Sequence, residues 1–265
     1  MIIFDLFPNG KTKAVTFSYD DGDRNDAKLI EIFNKYGVKG TFNLVSGWVG
    51  LSDNFLSKSE VYEISKTHEI ANHTRSHQWN ERIPVDQMIM QVAHAKSTLE
   101  DIVGKPVLGY AYPNGQYNNE LLTVLKGLNI AYARTAGQSN TFAHPSDFLL
   151  WTGTCHHDNA IPYAKKFVSL SSYSQLPIFY IWGHAHDFAR RDNWNVIIET
   201  LDILKDDNDK IWYATNFEIY EYLTAIKNLR ITSDYKCVYN PSCISVYATA
   251  DGEPVEFKPG YTILK

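Results

Sequence analysis

Ala14-Val15-Thr16-Phe17-Ser18-Tyr19 runs directly into Asp20-Asp21-Gly22. The first six residues are β-branched, aromatic or small and carry no charge, which predicts a strand; two carboxylates and a glycine mark its end. Residues 26–36 follow with Leu29, Ile30, Ile32 and Phe33 on one helical stripe, and Gly37 is placed to close the helix. A strand that ends on polar residues and hands over to a helix is the repeating unit of an α/β protein.

The unit recurs along the chain. Residues 38–44 and 69–72 predict strands, and 57–67 a helix opened by Ser57 and Glu60 at capping-box spacing. Residues 84–103 predict the longest helix, with Val85, Met88, Val92, Leu99 and Ile102 in helical period, Pro84 in the first turn and Gly104 at the end. Strands are then expected at 107–112, 130–134, 148–152, 178–182 and 211–214, and helices at 118–128, 159–170, 194–205 and 217–227. About eight such alternations point to a parallel β/α barrel rather than an open sheet. Residues 1–229 are assigned to that barrel. Residues 230–265 change character: 245–250 and 253–257 flank Asp251-Gly252, a two-residue hairpin signal, so this stretch is read as a β appendage packed on the barrel.

With 265 residues, 44% hydrophobic and 21% charged, the chain has the makings of an ordinary globule. A net charge of −5 with mixed signs argues against a nucleic-acid partner. The three cysteines, Cys155, Cys237 and Cys243, are too few for a disulfide framework and are expected as free thiols. No apolar run is long enough to span a membrane, and no basic segment followed by an apolar one opens the chain, so a cytoplasmic location is expected.

The polar clusters share a position. Asp20-Asp21-Gly22, His73-Thr74-Arg75-Ser76-His77, Pro113-Asn114-Gly115, Cys155-His156-His157 and Gly183-His184-Ala185-His186-Asp187 each fall just past a predicted strand. In a β/α barrel those ends converge on one face, where active sites lie. His73 and His77 are four residues apart, one turn if helical, so both imidazoles can address one point. Two histidines and a carboxylate suffice for a catalytic zinc ion, cobalt and nickel being alternatives. Adjacent Asp20 and Asp21 diverge at a strand end, so one can bind the ion while the other stays beside it.

From about Lys13 to Ala214 the chain resembles the polysaccharide deacetylases, carbohydrate esterase family four. Residues 16–22 look like the family's first motif and 73–77 match its His-Thr/Ser-x-x-His motif; Pro113-Asn114-Gly115 and the His184 region are looser matches. The resemblance implies a distorted β/α barrel, usually of seven strands, and hydrolysis of an acetyl group from a saccharide. It implies that Asp21, His73 and His77 bind one divalent metal ion, that Asp20 is the general base and His184 the general acid, and that the Asn114 backbone N–H helps hold the oxyanion.

Two motifs depart from that pattern. An Arg usual two residues before the motif's proline is Ala111 here, and a Tyr usual after it is Asn114. That Arg normally pairs with the base aspartate, which leaves the tuning of Asp20 unaccounted for. An Asp-rich motif is echoed only by Asp147 and Trp151; Asp147 and Asp187 are candidates to support His184, with Asp187 read rather as a surface carboxylate. Tyr112, His156, His157 and His186 are candidates for the substrate cleft, the histidines equally readable as barrel-rim residues. Trp48 and Trp79 are candidates for stacking on a sugar, whereas Trp182, within its strand, is expected to pack in the core. Alternatives to a saccharide deacetylase are hydrolysis of a non-sugar amide or a ureide or imide ring, and a non-catalytic carbohydrate-binding relative.

Overall fold

A computed structural model describes residues 1–171 and 176–264. Its strands are β1 (Ile2–Ile3), β2 (Lys13–Asp21), β3 (Thr41–Leu44), β4 (Glu69–Asn72), β5 (Gly109–Ala111), β6 (Tyr132–Thr135), β7 (Trp151–Thr152), β8 (Cys155–His156), β9 (Ile178–Gly183) and β10 (Ile211–Tyr213), then β11 (Arg230–Ile231), β12 (Cys237–Asn240), β13 (Val246–Ala250), β14 (Glu253–Phe257) and β15 (Gly260–Ile263). The helices are α1 (Asp26–Tyr36), α2 (Lys58–Ile64), α3 (Val85–Val103), α4 (Asn119–Gly127), α5 (Ala160–Val168), α6 (Ala185–Arg191), α7 (Asn195–Lys205) and α8 (Asn216–Asn228).

Parallel ladders join β7-β6-β5-β4-β3-β2-β9-β8 in that order, and β10 pairs with the first residues of β2. β2 is the spine. Lys13 to Asp20 are all buried, as expected of a parallel strand covered on both faces. Alternation sends Val15, Phe17 and Tyr19 into a core shared with Leu29 and Phe33 of α1. The intervening Thr16, Ser18 and Asp20 bind polar side chains: Asn216 donates to Thr16 Oγ1 at 2.9 Å, and Asn43 donates to Ser18 Oγ and Asp20 Oδ1 at 2.8 Å each. At the other end of β2 the buried Lys13 ammonium donates to Asp207 Oδ2 at 2.7 Å and to the carbonyls of Phe167 and Val168.

The helix boundaries follow the sequence signals. Gly37 and Gly104 close α1 and α3 with φ of 67° and 70°, and Ser57 forms a reciprocal capping box with Glu60 at α2. The strand expected at 148–152 differs: Phe148–Leu150 form a 3-10 turn, begun where Asp147 accepts the Leu149 N–H at 2.8 Å, and only Trp151–Thr152 pair. Cys155–His156, expected to lie beyond a strand, are themselves strand β8 against β9. Helix α6 went unanticipated because its seven residues begin inside a histidine-rich stretch that reads as loop.

Beyond Arg230 the chain makes two small antiparallel sheets, β1-β13-β14 and β11-β12-β15. Asp251 and Gly252 both have positive φ, 50° and 88°, as a two-residue hairpin turn requires. Ile2 pairs with Ala250, so the first residues of the chain belong to this sheet. Val238, Val246, Ala248 and Phe257 bury their side chains with Ala225 of α8. The three cysteines are free thiols. No helix among the described residues is long and apolar enough to cross a membrane.

His68, at the start of β4, makes acid sensitivity predictable. The Gly40 N–H donates to its Nδ1 at 3.1 Å, so the ring proton sits on Nε2, 3.1 Å from Asn34 Oδ1. Burial, aided by Lys39, lowers its pKa from 6.5 to about 4. Between those values the unfolded chain binds a proton that the folded chain refuses. The stability is therefore complete above pH 6.5 and is lost as pH falls toward 4, by about 3 kcal/mol in all. Urea unfolding of wild type and His68→Gln across this range should show the variant losing that much less; equal acid slopes would contradict it.

Candidate active site

Asp21, His73 and His77 meet at the carboxyl ends of β2 and β4. His73 Nε2 and His77 Nε2 each lie 3.7 Å from Asp21 Oδ1. The loop that brings the histidines together is not a helical turn, contrary to the simplest reading of their spacing. Thr74 and His77 have φ of 68° and 56°, and Asp21 itself has φ of 82°. Such backbone persists only where the surroundings impose it. Here Asn72 accepts the Thr74 N–H at 2.8 Å and donates to the Val92 carbonyl at 2.9 Å, while Thr74 Oγ1 accepts the His77 N–H at 3.0 Å. Ser46 and Gly47 donate to the carbonyls of Thr74 and Arg75. Gly47 must be glycine, because a Cβ would lie 2.4 Å from the Arg75 carbonyl oxygen. This backbone contact also sets Trp48 in a stack on His77, ring centroids 5.8 Å apart.

The trio fits a divalent cation on three counts. Asp21 Oδ1 is buried without a hydrogen-bond partner. His73 Nδ1 lies 2.9 Å from the Ala111 carbonyl oxygen, which can only accept; the ring proton is on Nδ1 and Nε2 presents its lone pair. Burial lowers the His73 pKa to about 4, keeping the ring neutral, while burial and the Asp20 charge push the Asp21 carboxyl up. The protein alone thus leaves this point short of positive charge.

Asp20 is held differently. Its Oδ2 pairs with the Arg134 guanidinium and its Oδ1 accepts from Asn43. Burial opposes ionisation, yet Arg134, His73 and His184 outweigh it and hold the carboxyl at about 2. Arg134 resolves the departure noted at Ala111. In the β5–β6 ladder Ala111 stands opposite Arg134, so the guanidinium comes from the neighbouring strand at the same level. A buried charge closing a predicted strand was the available signal. The guanidinium also lies 4.7 Å over the Trp182 ring, whose Nε1 donates to the Gly137 carbonyl. Trp182 is partly buried: it packs against the core around Tyr132, Trp151 and Tyr180, as expected, and also borders the Arg134 side of the site.

His184 Nε2 is 3.8 Å from Asp20 Oδ2, and its Nδ1 is 3.7 Å from Asp187 Oδ2. Asp187 is no surface carboxylate: it is largely buried, with His156 Nε2 3.8 Å from Oδ2 and His186 Nε2 3.8 Å from Oδ1. Asp147 is spent on the Leu149 N–H. Asn114 begins the loop after β5 with φ of 57°. Tyr112 and His157 do not face a cleft. Tyr112 is buried and its hydroxyl donates to the Leu149 carbonyl at 2.8 Å; His157 is enclosed by Tyr19 and Phe188. His156 and His186 are partly exposed. Trp79 is exposed, with Arg82 4.2 Å from its ring centroid.

In a parallel β/α barrel a carboxylate–histidine centre at the strand ends lies where the active sites of this architecture are found. Residues 8–133 match the family described as polysaccharide deacetylase. Among solved structures, the fold is similar to the Xyl-CE4 domain of a multidomain xylanase from the hindgut metagenome of Trinervitermes trinervoides (TM-score 0.57, 18% identity, 80% of this chain and 92% of that one). It is also similar to a family 4 acetyl xylan esterase from Clostridium thermocellum (TM-score 0.52, 20% identity, 78% and 90%). A curated relative from Wigglesworthia glossinidia brevipalpis, "Probable 4-deoxy-4-formamido-L-arabinose-phosphoundecaprenol deformylase ArnD", is 29% identical over 159 residues, 53% of this chain; the chain spans about half of that relative's length, 55%. The similarity to the polysaccharide deacetylases thus spans residues 8–133, a little under half of the chain, and the solved structures share its fold. Arg134 and the His184 region lie beyond the matched residues.

Removing Arg134 tests the pairing apart from any activity. Arg134→Met leaves the Asp20 charge buried and should cost about 3–5 kcal/mol of unfolding free energy. Asp20→Asn in the same background should recover most of it, a coupling read by a double-mutant cycle in urea. Additive effects would mean that the two side chains do not depend on each other.

Proposed function

We propose that this protein is a metal-dependent hydrolase that removes an acetyl group, N- or O-linked, from a saccharide. The reading is carried by one observation: Asp21, His73 and His77 converge with an unpartnered carboxylate oxygen at the centre, and Asp20 sits next to them with its charge fixed. Zinc suits two imidazoles and a carboxylate with positions left open, and cobalt or nickel would serve the same donors. When bound, the cation would supply Lewis acidity to the acyl carbonyl and to the attacking water.

The chain's own residues divide the remaining work. Asp20, ionised at any working pH, accepts the proton of the attacking water. Arg134 and Asn43 hold its two oxygens, fixing its direction. His184, across from Asp20 Oδ2, delivers a proton to the leaving amine or alkoxide, and Asp187 orients its Nδ1 side. The Asn114 N–H, set by its left-handed backbone, stabilises the developing oxyanion. His156, His186 and Trp48 line the approach to the acyl group. Formyl in place of acetyl is a second reading, favoured by the similarity to the deformylase relative.

Purified protein should release acetate or formate from a panel of N-acetyl, O-acetyl and N-formyl saccharides. Chelation should abolish release and Zn²⁺ or Co²⁺ restore it. Asp20→Asn should lower kcat at least about 100-fold while the bound metal stays, and His73→Ala should lose both. Metal-loaded protein that is inert on the whole panel, or active after complete chelation, would sink the proposal.

A further inference from the structure

A second group with the same composition as the first centre stands beside it. An imidazole nitrogen of His156, one of His157 and a carboxylate oxygen of Asp187 lie within 4.8 Å of one another. None of the three belongs to the Asp21 centre. The spacing matches that centre, 3.8 Å from His156 Nε2 to Asp187 Oδ2 against 3.7 Å for each histidine and Asp21.

Both rings are held in place by their neighbours. His156 Nδ1 accepts the Asp158 backbone N–H at 3.4 Å and lies 3.1 Å from Asp158 Oδ2. His156 Nε2 is the ring nitrogen that faces Asp187. Asp158 is in turn held by Arg191 at 2.5 Å. His157 is fully buried with no hydrogen bond at either ring nitrogen, its Nε2 lying 3.4 Å from Asp158 Oδ1, a costly condition for an imidazole used only as packing. Its place is built deliberately: a Cβ on Gly183 would fall 2.0 Å from His157 Nδ1. The exposed Arg190 approaches only the other oxygen of Asp187, Oδ1, at 4.0 Å.

We infer that His156, His157 and Asp187 form a second divalent-cation site, separate from the Asp21 centre. Its cation would sit at the carboxylate oxygen that His184 Nδ1 also faces, so its occupancy sets the position of His184. The assignment does not rest on the chain being a deacetylase.

Chelator-treated protein titrated with Co²⁺ alone tests it, by equilibrium dialysis and visible absorption. Wild type is expected to bind two equivalents with two sets of d–d bands. His156→Gln and Asp187→Asn should each leave one equivalent, that of the Asp21 centre, and His73→Ala should leave the other. Unchanged far-ultraviolet dichroism keeps each variant interpretable. Saturation of wild type at one equivalent would overturn the inference, and Asp187 would then serve only to orient His184. Loss of the second equivalent in His186→Gln but not in His156→Gln would overturn it too, since Asp187 would then bind with His184 and His186 instead. Because the first centre is read from His73→Ala, failure there is distinguishable from failure here.

Discussion

A carboxylate that is almost wholly buried must be paired, and in this protein that pairing holds the sheet in its curl. Asp20 is 3% exposed and its partner Arg134 1%. The two belong to β2 and β6, four strands apart in the sheet order. In a flat sheet four inter-strand steps would separate them by about 19 Å, well beyond the reach of an aspartate and an arginine. Their contact therefore requires the sheet to roll until β6 faces β2. Breaking one partner of such a pair leaves an isolated charge in a low-dielectric interior, which is far more costly than the pair itself is stabilising. The curl of the sheet and the ionisation of Asp20 are thus one constraint.

From that constraint the rest of the site follows. All strands of the rolled sheet are parallel, so their carboxyl ends gather on one face. Asp21, one residue beyond Asp20, lands at the rim with a positive φ of 82°, uncommon for a residue other than glycine. The histidine loop after β4 is bent to meet it, again through positive φ, and is held by Asn72 and the backbone of residues 46–47. The strain sits where side chains must point at a shared centre rather than along their own strand.

How much of this was readable depended on whether the signal was local. The strand ending on Asp20-Asp21-Gly22, helix α1 with its closing Gly37, the Ser57–Glu60 capping box and the Asp251-Gly252 turn are set by near neighbours, and each appears where its residues predict. Asp21, His73 and His77 were readable as a group because strand ends converge in this architecture. The partner of Asp20 was not. Arg134 closes a predicted strand with no local feature to say that it crosses the barrel, and only the register opposite Ala111 makes the substitution intelligible. Asp187 was misjudged for a similar reason: the seven-residue α6 that turns it inward carries too few residues to show a helical period. The contribution of Ile2–Ile3 to the last sheet depends on a partner some 250 residues away in sequence.

The adjacent aspartates show why sequence position does not assign chemical roles. Asp20 and Asp21 are the same residue type, one peptide apart, and both are enclosed. Asp20 points inward to a guanidinium and an amide and is held near a pKa of 2. Asp21 points at two neutral imidazoles, keeps one oxygen without any donor, and is pushed upward by burial and by Asp20 itself. Two like charges this close cannot both be stabilised by the same cation-poor surroundings. The fold resolves the conflict by giving the only nearby guanidinium among the described residues to Asp20, which leaves Asp21 with a deficit that a bound cation would fill. The chemistry proposed for the pair, one carboxylate as ligand and the other as base, is therefore a property of what the barrel places opposite each of them.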